Sequence, residues 1–288
     1  MVMKTKDQYI PDSEVLVLRT SLIKAFMKCP AACYFRYFKG LVVPQRSGNF
    51  MGSCLHKTAE YANKYKRDKK SDVKLSVLKD IFVEEFRSKQ NQVRFLKKEK
   101  PEKLEKEGVD KLVPVYYSEI ALKVHPKYVE ESFSFHVTEE NLIVTGTIDL
   151  AEEDDMIRDL KVVSRVPSWA TAMKSFQGKS YRLGYKSKFK TEPVGFMLDF
   201  VIRKKDPIVS SSKPIKPMDK DDLEFRAIVI RIAKCIRQGL FYPHREGNPF
   251  CSPNACSYWV VCSVGEWRKL TPFVQVYGMN EGSVEEVG

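Results

Sequence analysis

The sequence has no long apolar run. No stretch of about 18 apolar residues occurs in the chain, so no transmembrane helix is predicted. The first residues, Met1 to Asp12, are polar and do not form the apolar core of a signal peptide. We therefore expect a cytoplasmic protein with no membrane partner, in a compartment where disulfide bonds are unusual.

Internal repeats and a recognisable interdomain linker are also missing, and acidic residues are too few to balance the basic ones. The 288 residues include 49 Lys and Arg against 37 Asp and Glu, which gives a net charge of +12. With 43% hydrophobic residues, a chain of this length can form a sizeable core. The composition favours one domain with a polyanionic partner, and nucleic acid is the simplest such partner.

The spacing of apolar residues predicts an α/β fold. Segments 128–137, 142–151 and 156–163 are β-prone and separated by acidic turns, which predicts three successive strands. Segment 194–203 is apolar and β-prone, which predicts a central strand. Helical spacing occurs in several further regions. Two short helices, divided at Cys29-Pro30, are predicted between Ser21 and Gly40. Further helical segments, one of them strongly charged, cover residues 52–65, 66–124, 169–185 and 221–239.

The second and third of these strands carry charged residues. Strand side chains alternate, so Asp159 and Lys161 share a face. A hairpin that turns on Asp154 places Asp149 opposite Asp159, with Cα atoms roughly 4.5–5.5 Å apart. Two carboxylates beside a lysine are the minimum required for metal-assisted phosphodiester hydrolysis. The alternative is a solvated hairpin with a surface ion pair, although charges among apolar neighbours are costly unless paired or bound to metal.

Two helical segments carry further candidates. His56 lies among apolar residues, where it is either a core histidine or a neutral metal ligand. Gln177 and Tyr181 are neighbours on one helical face. Their amide and hydroxyl groups can meet a phosphate, or they can simply be exposed polar residues.

Four of the seven cysteines form a further pattern. Cys251, Cys256 and Cys262 cluster near the C-terminus, and Cys29 lies far upstream before Pro30. A dense cysteine cluster in a reducing compartment is more often metal-binding than disulfide-bonded. The spacing is irregular for zinc, and three local thiolates with one distant thiolate favour an iron–sulfur site. Zinc, or thiols packed without metal, are the alternatives.

Taken in order, these patterns resemble the PD-(D/E)XK nuclease superfamily, and specifically its RecB-like branch. That branch includes phage-type exonucleases and CRISPR-associated iron–sulfur nucleases. The resemblance spans residues 21–262 of the chain. Its motifs are Ser21 through Cys29-Pro30, Gly52 with His56, Gly146 with Asp149, Asp159-Leu160-Lys161, Gln177 with Tyr181, and the triplet Cys251, Cys256 and Cys262.

The resemblance implies a fold and a domain organisation. The expected core is restriction-endonuclease-like, with a mixed central β-sheet flanked by helices. A single nuclease domain would cover residues 1–275, with a helical insertion at about 66–124. Segments 21–40 and 245–265 would form a cysteine-rich cap, and 276–288 would be a flexible tail.

The resemblance also implies roles for the candidate residues. Mg²⁺ or Mn²⁺ would be bound by His56, Asp149, Asp159 and the backbone carbonyl of Leu160. Lys161 would help to activate a water molecule, while Gln177 and Tyr181 would orient the substrate strand. A structural 4Fe–4S cluster would be held by Cys29, Cys251, Cys256 and Cys262.

Three details depart from the family pattern or leave a choice open. The triplet is spaced C-x4-C-x5-C, whereas C-x2-C-x5-C is commonest in the family, which leaves Cys251 less certain than the other two. Cys33 competes with Cys29 as the distant ligand. Either Glu130 or Glu131 can supply the glutamate that some family members add from the preceding strand.

The function implied by the resemblance is that of a metal-dependent DNA exonuclease. It would act on single strands or ends in recombination, repair or phage DNA processing. A homo-oligomer or a recombination or CRISPR partner protein is a further expectation. The alternative is a nucleic-acid-binding accessory factor with secondary or no nuclease activity.

Overall fold

The computed structural model describes residues 14–137, 140–165, 168, 175–216, 218–253 and 255–262. No helix within these ranges is both long and apolar enough to cross a membrane. In chain order they form β1 (Leu16–Arg19), α1 (Thr20–Lys28), α2 (Pro30–Tyr37), β2 (Gln45–Arg46), α3 (Ser47–Lys69), α4 (Leu75–Lys89), β3 (Val93–Arg94), α5 (Pro101–Glu107), α6 (Val113–Tyr116), β4 (Pro126–Val137), β5 (Leu142–Glu152), β6 (Met156–Val163), α7 (Phe176–Phe189), β7 (Gly195–Ile202), β8 (Ile208–Ser211) and α8 (Asp219–Arg237).

The main sheet is mixed. Its strand order is β1–β5–β6–β7–β8, and β4 also pairs with β5. Strands β5 and β6 are antiparallel, β6 and β7 are parallel, and β7 and β8 are antiparallel. The parallel pair needs a crossover connection, and the connection between β6 and β7 contains α7. The predicted fold class, a mixed sheet with flanking helices, is confirmed.

The chain divides into two compact units. The larger unit comprises Gln45–Phe135 and Thr145–Phe225. The smaller unit comprises Met1–Pro44, His136–Val144 and Arg226–Gly288. The single domain expected over residues 1–275 stays a prediction.

The charged region between residues 66 and 124 is mostly helical, as predicted. Helix α4 buries Leu78, Phe82 and Phe86, which recur every four residues and so line one face. After α5 the chain continues through two π-helical stretches on either side of α6. A Cβ at Gly108 would lie 2.1 Å from the ring of Phe82, so the first π stretch packs on α4 only because this residue is glycine.

The core of the larger unit joins these helices to the sheet. Leu150, Leu160 and Val201, from β5, β6 and β7, pack in one cluster with buried residues of α3, α4 and α6. On α7, Tyr181 makes edge contacts with the rings of Phe133 and Phe196. Helix α7 begins at Phe176, and the start of the helix predicted over 169–185 lies outside the described residues.

The smaller unit is organised around α1, α2 and α8. The ring of Phe241 contacts those of Phe26, Tyr34 and Phe38, with centroids 4.9–6.0 Å apart. Arg237 is 1% exposed. Its guanidinium donates to the backbone carbonyls of Glu14 and Glu140 at 2.9 and 3.0 Å. Residues 263–265 of the predicted cap and the predicted tail at 276–288 lie outside the described residues.

Candidate active site

The β5–β6 hairpin brings two carboxylates together. The strands pair Leu150 with Arg158 and Ala151 with Ile157, and this register, extended by one residue, sets Asp149 opposite Asp159. A positive φ of 65° at Asp155 forms the turn. The two carboxyl groups lie close enough to influence each other's pKa. The register agrees with the hairpin centred on Asp154 that the sequence predicts.

Lys161 lies beside Asp159 on the same face of β6. Its Nζ is 2.8 Å from Oδ1 and 2.6 Å from Oδ2 of Asp159. The Oδ2 atom is buried and has no hydrogen bond of good geometry, so its contact with Lys161 is electrostatic. Lys161 also donates to Gln177 Oε1 at 3.2 Å, and the Gln177 amide donates to Asp159 Oδ1 at 3.3 Å.

Helix α7 supplies the groups that contact both acids. Its first turn is capped by Ser175, whose hydroxyl accepts a hydrogen bond from Gly178 N at 3.2 Å. A Cβ at Gly178 would lie 2.7 Å from the ring of Phe196, so glycine allows α7 to lie close to β7. Gln177 donates to the hydroxyl of Tyr181 at 2.6 Å, and Tyr181 donates to Asp149 Oδ1 at 3.0 Å.

His56 approaches the acids from α3. Its Nδ1 lies 3.6 Å from Asp149 Oδ2. One turn earlier, Gly52 faces Val162 of β6 with no side chain between them. Burial lowers the pKa of His56 although Asp159 acts in the opposite direction. The imidazole is therefore favoured in its neutral form, which is the form that ligates metals.

Burial and mutual repulsion make the two carboxylates hard to ionise together. Burial raises the pKa of Asp159 to about 7; Lys161 opposes this rise and Asp149 adds to it. Burial also raises the pKa of Asp149, although the hydrogen bonds from Asp159 and Tyr181 lower it. Because both pKa values are raised, a bound cation would offset the cost of ionising the two acids together.

The carboxylates of Asp149 and Asp159 and the imidazole of His56 are chemically suited to bind a divalent cation. Their side chains are not arranged closely enough to form a complete metal site. Within the described ranges, no group of three or more His, Cys, Asp or Glu side chains is arranged so that it could hold a metal ion. The buried Oδ2 of Asp159, which has no good hydrogen bond, and the raised pKa of both acids are features that a cation would relieve. Oxygen ligands of this kind suit Mg²⁺ and Mn²⁺.

A cavity of about 30 Å³ adjoins the acids in the same unit. Its lining includes His56, Asp149, Glu60 and Glu130. The neighbouring Glu131 is instead paired with Lys188. Of Glu130 and Glu131, which the sequence left as alternatives, Glu130 is therefore the one that lines the cavity beside the site.

Sequence reasoning missed a buried ion network on the opposite face of β6. Arg158 donates two hydrogen bonds to Asp199 on β7, at 2.8 and 2.7 Å, and a third to Glu152 on β5 at 3.0 Å. The hydroxyl of Ser211 on β8 donates to the same Asp199 carboxylate. The available signal was a single aspartate within the apolar run of β7.

The four predicted cluster cysteines gather in the smaller unit. Burial raises the pKa of Cys251 and Cys256, and the nearby thiols of Cys29 and Cys262 raise both further. Cys29 and Cys262 therefore lie near both Cys251 and Cys256, although within the described residues these thiols are not arranged so that they could hold a metal ion. All four are free thiols.

Cys33 has a different environment. It is fully buried, and its thiol donates to the carbonyl of Leu22 at 3.7 Å. Burial raises its pKa to about 12. A buried thiol that resists ionisation is a poor metal ligand, so the structure favours Cys29 over Cys33 as the distant member of the set.

These side chains lie together on a mixed α/β core. The model of the PD-(D/E)XK nuclease superfamily matches residues 20–263. Because this match covers most of the chain, the protein belongs to the PD-(D/E)XK nuclease superfamily, whose members cleave nucleic acids and generally use divalent metals such as Mg²⁺.

Comparison with solved structures supports the fold. A candidate exonuclease from Eubacterium rectale is 12% identical to this chain, with a TM-score of 0.55 over 79% of this chain and 83% of that chain. At this identity the likeness shows the fold alone. SSO0001, whose crystal structure is known, is 9% identical in sequence to this chain, with a TM-score of 0.34 over 76% of this chain and 84% of that chain. No curated protein matches the sequence significantly.

Proposed function

We propose that the protein is a metal-dependent deoxyribonuclease that acts as an exonuclease and belongs to the RecB-like, iron–sulfur branch of its superfamily. The observation that carries this proposal is the convergence of Asp149, Asp159 and Lys161, with the lysine 2.6 Å from one acid and the two acids in contact. Superfamily membership supports hydrolysis of a nucleic acid, and the net charge of +12 suits a polyanionic substrate.

Mg²⁺ or Mn²⁺ would be held by Asp149, Asp159, His56 and the carbonyl of Leu160. A cation bound there supplies Lewis-acid activation of the phosphate and a more acidic bound water. Lys161 holds a positive charge beside the site, where it stabilises negative charge that develops on the phosphate during cleavage. Gln177 and Tyr181 hold the two carboxylates in position through the hydrogen bonds described above.

The cysteine set supports an iron–sulfur assignment. Cys29, Cys251, Cys256 and Cys262 would hold a 4Fe–4S cluster that joins the end of α1 to the C-terminal segment. The role would be structural, because the cluster is not needed for hydrolysis itself. Zinc bound by the same thiols is the competing assignment.

The proposed substrate is DNA with a free end or a single-stranded segment, in recombination, repair or phage DNA processing. Degradation of end-labelled and internally labelled DNA, single- and double-stranded, tests it directly. With Mg²⁺ or Mn²⁺ the wild type should release mononucleotides or short products from ends, and a circular substrate should persist. RNA of the same sequence serves as the competing substrate.

Lys161→Ala is the decisive variant in this assay. It should lose cleavage while it keeps DNA binding, whereas Lys123→Ala, which removes an exposed lysine paired with Glu119, should cleave like the wild type. Full activity of Lys161→Ala would reject the proposal. Binding without cleavage by the wild type, in either metal, would instead indicate a nucleic-acid-binding accessory factor.

A further inference from the structure

We infer that an exposed aromatic surface on the smaller unit, formed by Tyr242 and Phe250, stacks on unpaired bases of a nucleic-acid strand. The inference about this aromatic platform rests on the proposed function only because it takes nucleic acid as the partner. None of the residues assigned to hydrolysis belongs to the platform.

The chain after α8 folds back onto the junction of α1 and α2 and holds the platform there. The carbonyl of Tyr242 accepts a hydrogen bond from Ala31 N at 3.1 Å. The carbonyl of Lys28 accepts one from the Asn248 amide at 3.0 Å and lies 3.3 Å from Nδ1 of His244. The segment that carries the two rings is therefore fixed at both ends.

The two rings face outward. Tyr242 is 58% exposed and Phe250 is 51% exposed. In contrast, Phe241, which directly precedes Tyr242, packs against Phe26. Met27, at the end of α1, is 44% exposed. Both exposed rings belong to the segment that packs against the junction of α1 and α2, where an exposed apolar patch would mark a binding site.

Positive charge accompanies the rings. The ammonium of Lys28 lies 3.7 Å from the centroid of the Phe250 ring. Arg245 lies in the same segment, next to the acidic Glu246. Aromatic rings beside cations are the arrangement with which proteins bind single strands: the rings stack on bases and the cations meet phosphates. Neither a membrane nor an apolar protein surface requires this combination.

Equilibrium binding of fluorescent oligonucleotides to the full-length protein tests the inference. Fluorescence anisotropy is measured in EDTA, which prevents metal-dependent cleavage, with a single-stranded probe and a blunt duplex of the same length. Tyr242→Ala and Phe250→Ala should each weaken single-strand binding by about tenfold, with the duplex changed far less. Tyr61→Ala, which removes an exposed tyrosine of α3, should bind both probes like the wild type.

Substitutions at Tyr242 separate stacking from general packing. Tyr242→Phe keeps the ring and should keep single-strand affinity, whereas Tyr242→Leu is apolar but cannot stack in the same way and should lose it. Thermal unfolding and iron content identify any variant that is damaged more widely, which matters for Phe250 because it precedes Cys251. Unchanged affinity in Tyr242→Ala, or an equal loss for both probes, would overturn the inference.

Hydrolysis of bis(p-nitrophenyl) phosphate with Mn²⁺ distinguishes this inference from the proposed function. This small ester has no bases to stack, so Tyr242→Ala should hydrolyse it at the wild-type rate while Lys161→Ala does not. If the wild type self-associates and Tyr242→Ala does not, while both bind DNA with the same affinity, the surface binds a second copy of the chain. That result would overturn the inference.

Discussion

Asp159 and Lys161 project from the same face of β6, and the lysine Nζ lies 2.6 Å from Asp159 Oδ2. This ion pair does not fully offset the burial of the acid, since the pKa of Asp159 remains raised to about 7. The contact with Asp149 adds a second negative group to the same space. The site therefore stores unfavourable electrostatic energy that a bound cation would relieve.

Asp159→Asn should stabilise the metal-free protein more at pH 8 than at pH 5. The folded pKa of about 7 exceeds the unfolded value of about 3.9, so the stability from this acid falls as the pH rises between the two. Asparagine does not ionise, and the variant should gain on the order of 2 kcal/mol relative to wild type across this interval. Urea unfolding in EDTA measures the gain, and a pH-independent difference would contradict it.

The stability that Asp155 contributes should depend on pH in the opposite direction to that of Asp159, in the same hairpin. Hydrogen bonds from Lys127 and Tyr185 lower its pKa, so its contribution is present above the unfolded pKa and is lost as the pH falls through the folded pKa. Asp155→Asn should accordingly be less stable than wild type at neutral pH, with the deficit shrinking in acid.

Tyr181→Phe should slow DNA cleavage by about tenfold, because Asp149 loses a hydrogen bond that holds its carboxylate. The half-saturating Mn²⁺ concentration should rise as well. Tyr185→Phe, one turn later on α7, removes a hydroxyl that donates to Asp155 outside the site, and should cleave at the wild-type rate. Equal effects of the two substitutions on the rate and on the Mn²⁺ requirement would contradict the role assigned to Tyr181.

Cys29→Ser should remove bound iron, whereas Cys33→Ser should retain it. Cys29 lies within electrostatic range of Cys251 and Cys256, while Cys33 is buried and donates to Leu22. Iron and sulfide content after anaerobic purification, with absorbance near 400 nm, provide the measurement. Retention of the cluster in Cys29→Ser and its loss in Cys33→Ser would reverse the assignment.

Arg158→Met should destabilise the fold by about 3–5 kcal/mol, since it leaves the buried carboxylates of Asp199 and Glu152 without their cation. The double variant Arg158→Met/Asp199→Leu removes the stranded charge and should recover much of this loss. Urea unfolding of the wild type, of both single variants and of the double variant gives the coupling energy between Arg158 and Asp199. If the double variant were as unstable as the sum of both single ones, the two residues would be energetically independent.

Local patterns predicted the parts of the structure that depend on nearby residues. The acidic turn between β5 and β6 was recognisable in the sequence, so the hairpin centred on Asp154 was predicted correctly. The break between α1 and α2 followed from Pro30. The first turn of α3 was missed because Ser47, Gly48 and Asn49 carry no apolar pattern.

Local patterns could not predict contacts between residues that are far apart in the sequence. Arg158 meets Asp199 only through the parallel register of β6 and β7, which depends on the crossover that contains α7. The identity of the distant cysteine ligand stays a prediction, because Cys29 and Cys33 lie only about one helical turn apart and the sequence favours Cys29 only through the proline that follows it.

Calorimetric titration of the metal-free protein with Mn²⁺ tests the central claim most directly. Wild type and Asp155→Asn should bind the ion with the same affinity, because Asp155 is bonded to Lys127 and Tyr185 in the turn of the hairpin. Asp149→Asn should lose that binding together with DNA cleavage. Wild-type Mn²⁺ affinity in Asp149→Asn would show that the paired acids of β5 and β6 do not form the metal site.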